Sequence, residues 1–352
     1  MIATAPAGLT ERELLAVAAW MDGRGLGSAP LTEVRPLGGG TQNIMVSFRR
    51  GERRYVLRRG PRHLRPRSND AILRETRVLA ALTDTPVPHP RLISSCDDPS
   101  LLDGAVFYLM DPIEGFNPSL ELPAPHAADP SLRRRMAFNI VDALATLGTV
   151  DHQAVGLTGF GKPEGFLERQ VPRWLAELDS YRRFPGYGGP DIPRLDDVAT
   201  WLEQRRPSRW QAGILHGDFH CANVMFDRSS TEIAAIVDWE MSTIGDPLLD
   251  LGWLLATWRL PQAPTIFGGA FMESAGLPSA AELSTRYAER SSRDIDALTW
   301  YIVLACFKLG IVLEGTHARA AAGQAPQRTG EELHAMTLRL FERATHLMDG
   351  EQ

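Results

Sequence analysis

The sequence predicts an α+β protein, on three observations. Short apolar runs broken by turn residues crowd the first third: Asn43 to Phe48, a turn at Gly51 to Arg53, Arg54 to Arg58, and Val106 to Met110. From Met136 onward the apolar residues recur at helical spacing instead, as in Met136, Ile140, Val141, Leu144 and Leu147. Finally, 352 residues with 44% hydrophobic content suffice for a sizeable core, expected in two lobes. The expected division is a small strand-rich lobe over 1–110 and a larger helical lobe over 111–352.

Each element has a local reason. Thr10 and Glu13 form a capping box that opens a helix running to about Gly23. Pro36 to Asn43 holds Gly38, Gly39, Gly40 and Thr41 between two strand-like runs. Consecutive glycines let backbone amides approach phosphates, and they suit a plain flexible hairpin equally. The helix over Ala71 to Leu82 has Asn69 or Asp70 as its expected cap. Pro118 to Pro130 and residues 185–194 read as loops. The stripe from Phe166 to Tyr181 reads as core, like that from Met136 to Leu147. Four more helices are expected, over 247–259, 280–290, 295–322 and 330–348.

Composition excludes several classes. A net charge of −6 argues against a general nucleic-acid binder. No apolar run reaches the length of a membrane span, and no basic-then-apolar signal opens the chain, so a cytoplasmic location is expected. Cys96, Cys221 and Cys306 are too few and too far apart for a disulfide framework or a metal cluster. Of the 37 basic residues only Lys162 and Lys308 are lysines, a bias that suits a GC-rich genome.

The most informative stretch runs from Ile214 to Asn223, Ile-Leu-His-Gly-Asp-Phe-His-Cys-Ala-Asn. Phosphoryl transfer needs a carboxylate to orient a hydroxyl and an amide oxygen to hold magnesium. Asp218 and Asn223, five positions apart in one short loop, supply both. The loop lies between two apolar runs, Ile214-Leu215 and Val224 to Phe226. After a turn at Asp227 to Thr231, a buried strand from Ile233 ends in Asp238-Trp239-Glu240, where a second metal ligand is wanted.

His-Gly-Asp-Phe-His-x-x-Asn followed by Val-Asp-Trp-Glu resembles the aminoglycoside phosphotransferase (choline kinase-like) family. It is most similar to the kinase-like domain found ahead of acyl-CoA dehydrogenase family members 10 and 11. The resemblance covers roughly Leu31 to Arg343 and implies a protein-kinase-like bilobal fold. It implies Asp218 as catalytic base, Asn223 and Asp238 as magnesium ligands, and Asp246 and Asp250 as braces of the loop. ATP and Mg2+ are the implied cofactors. Such lobes use a strand lysine on the nucleotide phosphates, yet no lysine precedes residue 162. Arg58 is the candidate replacement, with Glu75 as its acidic partner; a surface Arg–Glu pair is the alternative. By position, the Asp111 carbonyl and the Ile113 amide would hold adenine with Met110 behind the ring. Pro112 has no N–H to offer there.

The cluster Arg58, Arg59, Arg62, Arg65 and Arg67 reads as a solvated loop or as an attractor of a phosphorylated or CoA-bearing substrate. His216 and His220 read as structural. The expected reaction is ATP-dependent phosphorylation of a hydroxyl on a small molecule, without a nucleic-acid partner. Leu260 to Leu277, with Ile266, Phe267, Phe271, Met272 and Leu277 and the single charge Glu273, suggests a partly apolar acceptor such as a hydroxyacyl-CoA. The alternatives are an aminoglycoside acceptor, a non-catalytic nucleotide- or metabolite-binding pseudokinase, and an acyl-CoA dehydrogenase by name association alone. Oligomeric state is not legible.

Overall fold

A computed structural model describes residues 8–38, 43–259 and 269–350. The chain divides into two compact units. The first comprises 1–115, 155–157 and 234–242, and the second 116–154, 158–233 and 243–352. The motif residue Asp238 therefore belongs to the first unit by packing, although Asp218 and Asn223 belong to the second.

In the first unit, helix α1 spans Glu11–Gly23 and starts on the expected capping box. The Glu13 N–H donates to Thr10 Oγ1 at 3.2 Å, and the Thr10 N–H to Glu13 Oε2 at 2.7 Å. The strands are β1 Leu31–Leu37, β2 Ile44–Arg50 and β3 Arg53–Arg59, with helix α2 Ser68–Leu82 before β4 Leu92–Cys96 and β5 Phe107–Met110. They form one antiparallel sheet in the order β1-β2-β3-β5-β4. Gly51, at φ +60°, opens the two-residue turn between the paired Arg50 and Arg53. That left-handed backbone costs glycine little.

Strand alternation sorts the side chains by face. Val46, Phe48, Tyr55, Leu57, Phe107 and Leu109 join Val17 and Met21 of α1 in one core. Arg58 and its cross-strand partner Tyr108 necessarily take the other face. Helix α2 starts at Ser68 after Arg67, so neither Asn69 nor Asp70 caps it. The Asn69 side chain instead donates to the Gly104 carbonyl at 2.8 Å and accepts from the Val106 N–H at 3.2 Å.

The arginine cluster is not a solvated loop throughout. Arg59 is buried and donates to Glu13 Oε1 at 2.6 Å, an oxygen that Arg62 also reaches at 2.6 Å. One glutamate thus closes a helix cap and neutralises an arginine inside the protein.

The second unit is mainly helical: α3 Ala124–Ala128, α4 Pro130–Gly148, α5 Gln170–Ser180 and α6 Leu195–Gln204 come first. Strands β6 Gly213–Leu215 and β7 Val224–Phe226 flank the motif loop; β8 Ile233–Ile236 follows and belongs to the first unit from residue 234 on, and β9 Thr243–Gly245 pairs antiparallel with β6. Then come α7 Leu248–Thr257, α8 Gly269–Glu273, α9 Ala280–Arg290, α10 Leu298–Ala321 and α11 Gln327–Met348. The stretch from Pro118 to Pro130, expected as a loop, contains α3, and α6 was not anticipated. A Cβ at Gly252 of α7 would lie 2.6 Å from the Tyr301 carbonyl of α10, so only glycine allows this approach.

Helix α10 corrects the expectation that no apolar run reaches span length. By length and composition it could cross a membrane, but most of it is buried inside the protein. Its pattern is hydrophobic all round because neighbouring helices cover it, which is how a core helix reads.

Glu13→Gln would leave Arg59 buried with its counter-charge removed. We expect a loss of roughly 3 kcal/mol in unfolding free energy, measured by urea titration. A change within experimental error would show that Arg59 is satisfied without Glu13.

Candidate active site

Within the first unit, Arg58 gathers three carboxylates. Its Nε lies 2.9 Å from Glu75 Oε2, and its Nη2 lies 2.6 Å from Asp238 Oδ1 and 3.6 Å from Glu240 Oε2. Glu75 lies on the apolar stripe of α2 with Ile72, Val78, Leu79 and Leu82, a core position unusual for a charge. Its Oε1 accepts the Trp239 N–H at 3.1 Å, which ties α2 to the backbone beside Asp238. Burial drives the Glu75 carboxyl up, to about 7, against the pull of Arg58. Burial also opposes the Arg58 charge, but the field of Glu75 and Asp238 outweighs it and holds the guanidinium above its ordinary range.

Asp238 has left-handed backbone, φ 68° and ψ 60°. Asp and Asn tolerate this conformation better than other side chains with a Cβ. Asn43, the residue before β2, donates to Glu240 Oε2 at 3.0 Å and so joins this cluster. Gly39, Gly40 and Thr41 lie outside the described residues; Gly38 is exposed, and an added Cβ there would meet nothing within 4 Å among the described residues.

Met110 ends β5, paired with Val56 and Leu92. The Asp111 N–H donates to the Arg91 carbonyl at 3.0 Å, and its carboxylate pairs with Arg53 at 2.9 Å. Ile113 follows in an irregular, half-buried segment.

Within the second unit, the motif loop hangs from Asp250, a buried carboxylate on α7. Its Oδ2 accepts the His216 N–H at 2.6 Å and its Oδ1 the Gly217 N–H at 2.9 Å. Gly217 has φ +87°, so the turn that presents Asp218 favours glycine here. Asp246 does not brace the loop as the resemblance implied. It accepts from the Leu248 N–H at 3.1 Å and from the Tyr301 hydroxyl, and so fixes the start of α7.

Asp218, His220 and Asn223 converge. Asn223 Nδ2 donates to the Asp218 carbonyl at 2.9 Å and to its carboxylate at 3.2 Å, while His220 Nε2 lies 3.4 Å from the same carboxylate oxygen. Burial works against the Asp218 charge, but His220, His216 and Lys308 prevail and pull the carboxyl down to about 2. A carboxylate that acidic is ionised at neutral pH and is a weak base. It is suited to accepting a hydroxyl's hydrogen bond and orienting it more than to holding its proton early.

Lys308 is the residue that sequence reasoning missed. It lies on α10, and its Nζ donates to the Gly217 carbonyl at 3.0 Å and sits 4.4 Å from the Trp253 ring centre. Burial pushes its ammonium down to about 8, opposed by Asp218 and Asp250. The available signal was a lone lysine inside an apolar helix of an arginine-biased chain.

Two of the apolar residues assigned to the acceptor site are core instead. Phe271 and Met272 are fully buried; Phe271 packs against Phe226 at 6.4 Å between ring centres, and Met272 Sδ meets Cys221 Sγ at 3.6 Å. Ile266 and Phe267 lie outside the described residues.

Residues 33–283 match the phosphotransferase enzyme family. The chain belongs to that family. Among its relatives, acyl-CoA dehydrogenase family member 10 of Mus musculus is 29% identical over 87% of this chain, which covers 28% of that protein. Member 11 of Homo sapiens is 30% identical over 81% of this chain and 36% of its own length. The chain thus spans well under half of these relatives. A solved Ralstonia eutropha structure, provisionally named an aminoglycoside phosphotransferase, is 29% identical with a TM-score of 0.78 over 94% of this chain and 98% of that one. Aminoglycoside phosphotransferase APH(4)-Ia, solved as a thermostable mutant with ADP and hygromycin B, is 14% identical with a TM-score of 0.56 over 90% and 97% of the chains. The protein-kinase-like α+β fold of the family is thereby established, as is the resemblance to acyl-CoA dehydrogenase family members 10 and 11.

If Lys308 holds Asp218 acidic, Lys308→Met should raise the Asp218 carboxyl above about 2. A carboxyl-carbon NMR titration measures this. An unchanged Asp218 titration would assign the whole effect to the histidines.

Proposed function

We propose that this phosphotransferase-family chain moves the γ-phosphoryl group of ATP to a hydroxyl of a small molecule. The observation that carries the reading is the Asp218–Asn223 pair, one buried loop holding an ionised carboxylate bonded to the amide that follows it by five positions. In this reading Asp218 orients the acceptor hydroxyl and receives its proton as the oxygen attacks. His220 and Lys308 keep that carboxylate ionised until then.

Asn223 and Asp238 are the proposed magnesium ligands. The donor chemistry suits a hard cation: Glu75, Asp238 and Glu240 outnumber the single guanidinium of Arg58. Arg58, placed by Glu75, would meet the nucleotide phosphates, and backbone amides of Gly38, Gly39, Gly40 and Thr41 are the proposed further phosphate donors. Met110 and the backbone of Asp111 and Ile113 would hold adenine. Magnesium, when bound, neutralises phosphate charge and polarises the transferring group. Because the transition state is loose, the rest of the acceleration comes from positioning and charge complementarity.

For the acceptor we propose a hydroxyacyl-CoA or another partly apolar alcohol. The low charge of Leu260 to Leu277 offers few carboxylates to a polycationic sugar. The names of the dehydrogenase-linked relatives point the same way by association only. The buried free cysteines suit a reducing cytoplasm. A second reading, a nucleotide binder without turnover, is favoured by the Arg58–Asp238 contact, which engages a proposed metal ligand.

Asp218→Asn should lower turnover at least about 100-fold with little change in ATP affinity. Asp238→Asn, which keeps a side chain tolerant of left-handed backbone, should weaken Mg·ATP about tenfold or more, roughly 1.4 kcal/mol. Calorimetry on both variants checks the division of roles; equal losses of nucleotide binding would refute it.

Arg58→Ala should weaken ATP more than adenosine, since only ATP carries the phosphates. Wild-type ATP affinity in this variant, together with absent turnover in the unmodified protein, would favour the second reading. Efficient phosphorylation of kanamycin-type aminoglycosides, with none of hydroxyacyl-CoA or other apolar alcohols, would overturn the acceptor assignment.

A further inference from the structure

Three segments of the second unit meet away from the motif loop. Helix α10 contributes Glu314 and His317, three positions apart and hence on one face. Helix α11 contributes His334, and the loop after α5 contributes Tyr187. Two glycines permit the approach. A Cβ at Gly330 of α11 would lie 2.4 Å from that of Ala320, and one at Gly186 would lie 3.0 Å from the Ala321 carbonyl.

Glu314 is completely buried. Its Oε1 accepts the Tyr187 hydroxyl at 2.8 Å, and its Oε2 lies 2.7 Å from His334 Nδ1. The His317 ring stacks on that of His334, 4.5 Å between centres at 25°. His317 Nδ1 is buried with no hydrogen-bond partner among the described residues. One potential ligand atom from each of Glu314, His317 and His334 lies within 4.8 Å of the others.

A carboxylate–imidazole contact accounts for Glu314 and His334 but leaves His317 unexplained. A buried polar atom without a partner costs about 1–3 kcal/mol. A cation that takes the Nδ1 lone pair of His317, one lone pair of His334 and one carboxylate oxygen removes that cost.

We propose that Glu314, His317 and His334 form a binding site for a divalent transition-metal ion, zinc above all. Two imidazoles and one carboxylate match zinc and its neighbours in the first row, whereas magnesium and calcium prefer all-oxygen sets. The three protein ligands leave a fourth position for water. Any proton shared by Glu314 and His334 leaves to solvent as the metal enters, so affinity falls with acidification. Tyr187 orients the ligating carboxylate from outside. The two histidines are half-buried and give the ion an entry path. Bound metal joins α10, α11 and the loop holding Tyr187.

The test uses the full chain, free of any histidine tag and dialysed against chelator. Zinc titration by calorimetry should give one saturable site, zinc should raise Tm, and magnesium should not. Cobalt should give the visible ligand-field bands of a four-coordinate nitrogen–oxygen site. His317→Ala is the decisive variant because its Nδ1 has no hydrogen bond to lose, and it should abolish the cobalt bands while leaving the circular dichroism unchanged. Tyr187→Phe should weaken zinc about tenfold. Absence of saturable binding to the unmodified protein, or equal affinity in His317→Ala, would overturn the proposal. Neither readout depends on phosphotransfer.

Discussion

The two hydrogen bonds from the His216 and Gly217 amides to Asp250 are the constraint on which the candidate site rests. A loop that leaves a strand has backbone donors to satisfy, and solvent would satisfy them in many conformations. Here one buried carboxylate takes both, so the turn at Gly217 has a single register and Asp218 a single direction. Burial raises the Asp250 carboxyl, opposed by His216 and these same amides. Asn117 adds a lateral tie, its side-chain amide donating to the Ala222 carbonyl at 2.7 Å.

Charge is handled differently in the two units. In the second, Asp250 and Asp218 stand among nitrogen donors, Lys308 and His220, and the net effect keeps Asp218 ionised. In the first, three carboxylates surround one guanidinium, leaving an excess of negative charge. Arginine in place of lysine matters there. Its planar fork lies 2.9 Å from Glu75 at Nε as an ion pair and hydrogen-bonds Asp238 through Nη2, so two different nitrogens of one cation meet two carboxylates.

Much of this was legible in the sequence because it depends on local order. The five-residue spacing of Asp218 and Asn223 survives folding unchanged, and the capping box at Thr10 announces α1 without help from the rest of the chain. The Arg58–Glu75 pairing came through the resemblance, with Arg58 standing where such lobes carry a strand lysine. What stayed hidden depends on distant packing. Lys308 meets Gly217 across ninety-one positions of sequence. Arg59 looked like one of a solvated cluster because its partner, Glu13, lies forty-six positions earlier. Phe271 and Met272 have the composition of a substrate wall and the burial of a core. Periodicity cannot separate the two when the segment is a single turn of helix.

The scarcity of lysine gives the protein a built-in chemical reporter. Lys162 and Lys308 are its two side-chain amines, the first exposed and the second enclosed behind Trp253 beside the motif loop. A reagent that acylates amines therefore meets one ready side-chain target and one shielded target. The rate at which Lys308 is modified then measures how often that part of the interior opens, one bond away from the turn that carries Asp218.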